Sequence, residues 1–465
     1  MSHLRLPLLK ALFAFLAGLL CGLRVEWIGV SAAWAVVPLL AAPFLHARLV
    51  GERMRRPVLE GLLLGALAAA GVGGGASGRA AAAADCRATL GDGTRLMVTG
   101  ALAANHVPPA DSTARRPLLP LQVASAASAP GRVRRCDVEM RVRLARGTPA
   151  LLAGTELRLR GEWRLLPAPV NPSAWPRTPA YLGYLLAQEV EVAAEPAYVR
   201  HPLLVARGRT ERQLHRLFPR HGALADALLL GRRETLDRAL ADRFAQSGLV
   251  HLLAISGTHV ALVGAVFVLL GRVMRVSRTR TAWLTIALVA LYLAVIGAPP
   301  SAMRAGIMMA LSLLAVVLQR PSSSLSIVAA AALAILAMEP MAALDAGFQL
   351  SFAGVLGIIV LRGAMLRRIP LAWRKGTVRR PLAESLVVSV AAFVTTAPVV
   401  AHHFGQVAPV SILANLPAIP LSSLALIGIG AAAVTEPVLP PLAGLFAGGA
   451  GVALDLLNGV VDVAV

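Results

Sequence analysis

Lysine is nearly absent from this 465-residue chain: Lys10 and Lys375 are the only two, so the net charge of +21 rests almost wholly on arginine. Alanine and arginine are both so common that a GC-rich coding sequence accounts for their number, and the placement of arginine carries more weight than its count. Charged residues make up 15% of the chain against 57% apolar residues, and with a mean hydropathy of +0.69 this excludes an assembly of soluble domains. Aromatics, at 5%, are too few for a long track of stacked rings. No Gly-x-x-x-x-Gly-Lys-Ser/Thr loop occurs, so no ATPase activity of the chain's own is expected. The His402–His403 pair has no His-x-x-x-His or Cys-x-x-Cys companion and the other histidines are scattered, so neither a metal nor a cofactor is expected.

What is present is a series of apolar stretches able to cross about 30 Å of hydrocarbon. They fall near residues 11–24, 27–47, 57–77, 248–271, 282–298, 302–319, 325–338, 347–362, 382–401, 411–434 and 441–464. The fold class expected is a polytopic α-helical membrane protein of about eleven spans. The first stretch follows Arg5 and Lys10 as a signal peptide would, but the second begins at once without a convincing cleavage site, and the first is read as a span. Arg48, Arg53, Arg55 and Arg56 follow the second stretch, and Arg272, Arg275, Arg278 and Arg280 the fourth. Arg362, Arg367, Arg368, Arg374, Lys375, Arg379 and Arg380 follow the eighth. A cytoplasmic N-terminus puts all three clusters on the cytoplasmic side of a bacterial inner membrane, as the positive-inside rule requires. Residues 1–77 then form the N-terminal spans and 248–465 the main helical domain.

The polar segment between them falls outside the cytoplasm. Residues 136–144 alternate apolar and polar side chains strictly, 157–166 nearly so, and Gly91-Asp92-Gly93 reads as a hairpin turn. Residues 78–200 are therefore expected to form an extracytoplasmic all-β domain, a five-stranded barrel of the OB type. Residues 201–247 read as an amphipathic, arginine-rich helical connector at the outer membrane surface. Cys86 and Cys136 both fall in the outer domain, where a disulfide between them would stabilise it by about 2–4 kcal/mol; two unpaired buried thiols are the alternative.

Polar residues inside apolar spans are costly and usually face a bundle interior or an aqueous path. His251, Ser256 and His259 lie in one such stretch, where Ser256-Gly257 can break the helix; interhelical hydrogen bonding explains the same residues equally well. Pro299-Pro300 ends one helix and Ser301 can cap the next, placing Arg304 in an outward-facing first turn. That guanidinium suits either an arriving phosphate or a lipid headgroup. Asp345 reads as an N-cap and Gln349 as the better pore-lining candidate. His402, His403 and Gln406 end a span on the outer side, and Asn415, Pro417 and Pro420 are expected to interrupt the next helix.

These strings resemble the motifs of ComEC-type competence proteins, the family of DNA-internalisation channels. The resemblance is carried by residues 228–234, by 244–259 with its His-Leu-Leu-Ala-Ile-Ser-Gly-Thr-His run, and by 300–305, 345–352 and 403–420. Asn171-Pro172 with Tyr181-Leu182 looks like a degraded form of the motif that closes the family's outer domain. The resemblance implies passage of one DNA strand across the cytoplasmic membrane during natural transformation, with His251, Ser256, His259, Arg304, Gln349, His403 and Asn415 on the DNA path. Many members continue into a metallo-β-lactamase-like domain with a His-x-His-x-Asp-His motif. This sequence has none, and is expected to be a shorter member or a truncated product.

The resulting expectation is a passive channel, not an enzyme. Its partners would be single-stranded DNA, membrane lipid, a separate competence DNA receptor, a cytoplasmic helicase-like ATPase that pulls, and a separate nuclease for the other strand. A homodimer and a single-subunit pore are both left open. The rival is a small-molecule or ion transporter on the same bundle. A hydrolase using Ser256 with His251 or His259 lacks a third, orienting group.

Overall fold

The computed structural model describes residues 90–465 apart from 91, 107–117, 129–131, 166–182, 197–200, 234–235, 321 and 375; before residue 90 it describes parts of 12–19 and 67–72. Five strands come first: β1 (Arg95–Leu102), β2 (Leu119–Ser128), β3 (Arg132–Arg143), β4 (Glu156–Leu165) and β5 (Gly183–Ala194). They close into a barrel in the order β1-β2-β3-β5-β4, antiparallel except where β3 meets β5. The period-two pattern explains the closure. Leu157, Leu159 and Trp163 on β4 point inward with Leu96, Val98, Leu121, Met140, Val142 and Leu185, while Arg158 and Arg160 between them face solvent. Two glycines let the strands bend. The β1–β2 register shifts at Gly100 and the β4–β5 register at Gly161, and a Cβ on either would stand 2.2 Å from a carbonyl oxygen of the neighbouring strand.

Helices follow: α1 (Pro202–Leu217), α2 (Gly222–Leu230) and α3 (Arg238–Gln246), then a 3₁₀ turn over Val250–Leu252. The connector is thus three helices, and the middle one is not amphipathic: Leu224, Ala225, Ala227, Leu228 and Leu230 are all buried. The remainder is α4 (Gly257–Val273), α5 (Arg278–Val295), α6 (Pro300–Val317), α7 (Ser324–Met338), α8 (Ala346–Arg368), the short α9 (Leu371–Arg374), α10 (Arg379–Phe404), α11 (Ser411–Thr435) and α12 (Pro440–Ala464). Six of these, α5, α6, α8, α10, α11 and α12, are long and apolar enough to cross a membrane, and α4 and α7 are apolar but shorter. Eight helices therefore answer the eight apolar stretches beyond residue 248. The stretches at 27–47 and 57–77 and their arginines lie wholly or largely outside the described residues, as does Cys86 of the expected disulfide.

Helix α11 corrects one expectation. It runs unbroken through Pro417 and Pro420. Each proline removes one backbone donor and frees the carbonyl four residues back, at Leu413 and Leu416, yet the helix continues past both. Helices α8 and α10 pack antiparallel, Gly357 against Thr395, and α4 and α5 likewise, Gly271 against Thr281. Connectivity therefore gathers Arg272, Arg275, Arg278 and Arg280 with Arg362, Arg367, Arg368, Arg374, Arg379 and Arg380 at one end of α4, α5, α8 and α10. The polar motifs occupy the other.

Two outcomes follow for the barrel. Gly161→Val, which drives a side chain into the Leu186 carbonyl, is expected to lower stability by at least ~1–3 kcal/mol, read as an earlier thermal transition and faster proteolysis of the barrel. Burial at 4% exposure also holds the His106 imidazole below its ordinary 6.5, a hydrogen bond with the Thr148 backbone pulling the other way. The unfolded chain takes up a proton that the folded barrel resists, so stability present above pH 6.5 is lost as pH falls through that value. Thermal midpoints at pH 7.5 and 5 should show the drop, and His106→Gln should lessen it.

Candidate functional site

Five helix ends meet where α4, α6, α8 and α11 begin and α10 stops. At the start of α4 the chain cannot continue the helix back from Gly257. Instead Ser256 takes an extended conformation as N-cap, and the Nδ1 of His259 accepts from the Ser256 backbone N–H at 3.0 Å and lies 2.9 Å from its hydroxyl. Ser256 Oγ is also 2.6 Å from Thr258 Oγ1. The helix break expected at Ser256-Gly257 is present, and His259, 3% exposed, serves the cap.

Helix α6 starts beside it. Ser301 does not cap its own helix, whose N-cap is Pro299; its hydroxyl donates to the carbonyl of Ile255 at 2.8 Å, and Gly257 faces Ala305. One turn on, Arg304 is 6% exposed and donates from Nη2 to the Gly347 carbonyl at 2.9 Å. Asp345 caps α8 by accepting from the Phe348 N–H at 2.8 Å, as its position implied. Gln349 donates to the Ala343 carbonyl at 3.0 Å, and its Oε1 lies 2.9 Å from His403 Nε2 at the end of α10. The ring closes through Gly248, which lies against Ala408 and Ser411 so tightly that a Cβ there would meet Ser411 Cβ at 2.8 Å. Asn415 stands one turn into α11, half-buried, with no hydrogen-bond partner for its Oδ1 among the described residues.

The seven sequence candidates thus share one rim but divide by role. His259 and Arg304 are both buried: His259 completes the cap of its own helix, whereas Arg304 is turned to a carbonyl of α8 and braces the two helices, not presented outward as its position in the first turn suggested. Ser256, Gln349, His403 and Asn415 are half-buried, and His251 is exposed with Nδ1 3.1 Å from the Gly248 carbonyl. Thr258, His402 and Gln406 add exposed polar groups. Sequence reading missed the junction that carries the barrel. Asn105 after β1 donates from Nδ2 to the Gly208 carbonyl at 2.9 Å and to Glu211 Oε2 at 2.7 Å, and accepts from the Ala153 N–H at 2.9 Å. Glu211 in turn holds Arg232, and α1 reaches the main bundle through Gln213, which donates to the Ala433 carbonyl and to Glu436. Glu211, a lone carboxylate on an arginine-rich helix, was the available signal.

The brace and the exposed group should behave differently on mutation. Arg304→Ala removes a buried side chain and its hydrogen bond to the Gly347 carbonyl and is expected to cost ~1–3 kcal/mol in thermal unfolding of the solubilised chain, with Arg304→Lys recovering only part. His251→Ala should stay within ~0.5 kcal/mol of the parent.

Comparison with known proteins adds to this geometry. A curated relative, ComE operon protein 3 of Bacillus subtilis (strain 168), is 26% identical over 233 residues, covering 50% of this chain and 29% of that protein's length. The matched stretch thus spans less than a third of the relative. No solved structure matches the chain. A family model described as competence protein matches residues 228–465, from the end of α2 through all of α4–α12 and every residue of the rim. The chain belongs to the competence protein family.

Proposed function

We propose that this protein conducts single-stranded DNA across the bacterial cytoplasmic membrane during natural transformation. The observation that carries the reading is the rim itself: polar side chains from five helix ends, several of them open to solvent, collected at one end of an apolar bundle whose other end is basic. Family membership supports a role in competence and DNA uptake. A strand passing His251, Thr258, Gln349 and His403 would exchange part of its hydration for hydroxyl, amide and imidazole groups, each contact weak enough to release it again. His259 and Arg304 would act by holding the helix ends in register.

In this reading the N-terminus and the arginine clusters are cytoplasmic, and about eleven spans cross the membrane. The closed barrel, an OB-like scaffold, would receive DNA outside. OB folds commonly bind single strands by stacking and charge. Arg143, whose guanidinium lies 4.7 Å from the Tyr184 ring centroid, is the pairing on this barrel that best suits such contacts. A separate DNA receptor would deliver the duplex, a separate nuclease would remove the other strand, and a cytoplasmic helicase-like ATPase would pull.

Deleting the gene in a transformable host tests the proposal when transformants and surface-bound DNA are scored together. Loss of transformants with surface binding retained is expected, and Gln349→Ala or His251→Ala in place of deletion should lower transformation at normal protein level. Unchanged transformation would overturn the proposal, and proton-coupled uptake of a small solute would replace it with a carrier.

A further inference from the structure

Beside the barrel junction, three side chains meet that neither the rim nor the DNA path uses. Glu211 and His215 lie one turn apart on α1 and project from the same face, and Asp226 comes from α2 to meet them. One oxygen of each carboxylate and one nitrogen of the imidazole lie within 4.8 Å of one another. Glu211 is 4% and Asp226 0% exposed, whereas the His215 side chain is 47% exposed and leaves one side of the cluster open to solvent. His215 Nε2 is 2.7 Å from Asp226 Oδ2. The other oxygen, Oδ1, is buried and has no hydrogen-bond partner among the described residues. A fully buried carboxylate oxygen without a donor is uncommon and costly, and needs an occupant.

We propose that Glu211, His215 and Asp226 bind a divalent transition metal of the zinc or manganese type, a structural ion that clamps α1 to α2 where the barrel is attached. The donor set, two carboxylates and one imidazole, suits such ions, and three protein ligands leave a coordination position for water on the His215 side. The ion would replace the His215–Asp226 hydrogen bond, moving those two atoms apart by only ~0.5 Å to reach metal–ligand distances of about 2 Å. Room for the imidazole comes from Gly222, where a Cβ would stand 2.8 Å from His215 Nδ1. Outer partners orient the ligands: Asn105 Nδ2 and Arg232 Nη1 both donate to Glu211 Oε2.

Charge does not forbid the ion. Arg232 balances one of the two buried carboxylates, and Arg207 acts on Asp226 from further off. Burial pushes the Glu211 and Asp226 carboxyls up, so the competitor for the site is a proton.

The test uses the full chain in detergent, stripped with chelator and titrated with Co²⁺, followed by visible absorption, with Zn²⁺ as displacing ion. One Co²⁺ per chain is expected, displaced by Zn²⁺, with affinity lowered at least ~10-fold in both Asp226→Asn and His215→Gln. The His402→Ala variant, which removes an exposed histidine outside the cluster, should bind as the parent does. Absence of Co²⁺ binding would overturn the proposal and assign the site to a proton. Undiminished binding by Asp226→Asn would overturn it in favour of surface histidines. Because both variants keep the size of the side chain, circular dichroism and the thermal midpoint of the metal-free protein distinguish lost ligation from lost folding.

Discussion

Hydrocarbon offers no hydrogen-bond partner, so every helix that stops inside or at the edge of a membrane must have its terminal N–H and C=O groups met by protein. That constraint organises the rim. Ser256 and His259 cap α4, Asp345 caps α8, the carbonyls of Ile255 and Ala343 are taken by Ser301 and Gln349 from other elements, and Arg304 adds a donor to the Gly347 carbonyl of α8. Ser301, Arg304 and the Gln349–His403 pair reach between helices and fix those ends relative to one another. At the opposite end the solution is local. Ser277 caps α5 by accepting from the Arg280 N–H, Ser323 caps α7 by accepting from the Ser326 N–H, and the arginines there stand among exposed chain.

The same logic runs through the barrel junction at higher stakes. Asn105, Glu211 and Arg232 are buried together, and a charge removed from water needs a partner of good geometry to be tolerated there. Two residues along from Glu211, Gln213 holds the far turn of the α11–α12 hairpin. One helix, α1, therefore ties the barrel, the middle helix α2 and the last hairpin together. The core they share includes Val260, Val289, Leu293, Ile296 and Ala302, residues of α4, α5 and α6 from the rim end of those helices. Packed contacts run from the barrel junction on α1 through this core to the rim.

Much of this was legible in the sequence because it depends on local pattern. Apolar stretches beyond residue 248 marked eight helices to within a few residues except at 248–257, and alternation, strict at 136–144 and nearly so at 157–166, marked β3 and β4. The break at Ser256 and the cap at Asp345 are likewise local chemistry. What the sequence hid depends on partners distant along the chain. His403 meets Gln349 across 54 residues, and Arg304 meets Gly347 across 43, so composition could place these side chains at a helix end but could not say which carbonyl or amide they would face. Pro417 and Pro420 misled for a related reason: a proline costs a helix one hydrogen bond, and packing along the rest of a long apolar helix can outweigh that loss. The one buried charge of α1, Glu211, looked like part of a solvated arginine-rich face, since neither Asn105 nor Arg232 announces its role locally.

The account stands on the polar rim and the arginine clusters lying at opposite ends of the bundle, with the rim outward. Single cysteines placed in a background lacking Cys21, Cys86 and Cys136 test this directly when intact spheroplasts are treated with a membrane-impermeant maleimide. Thr258→Cys and Gln406→Cys should label from outside, while Arg275→Cys and Arg367→Cys should label only after lysis. Labelling of both pairs from the same side would contradict it.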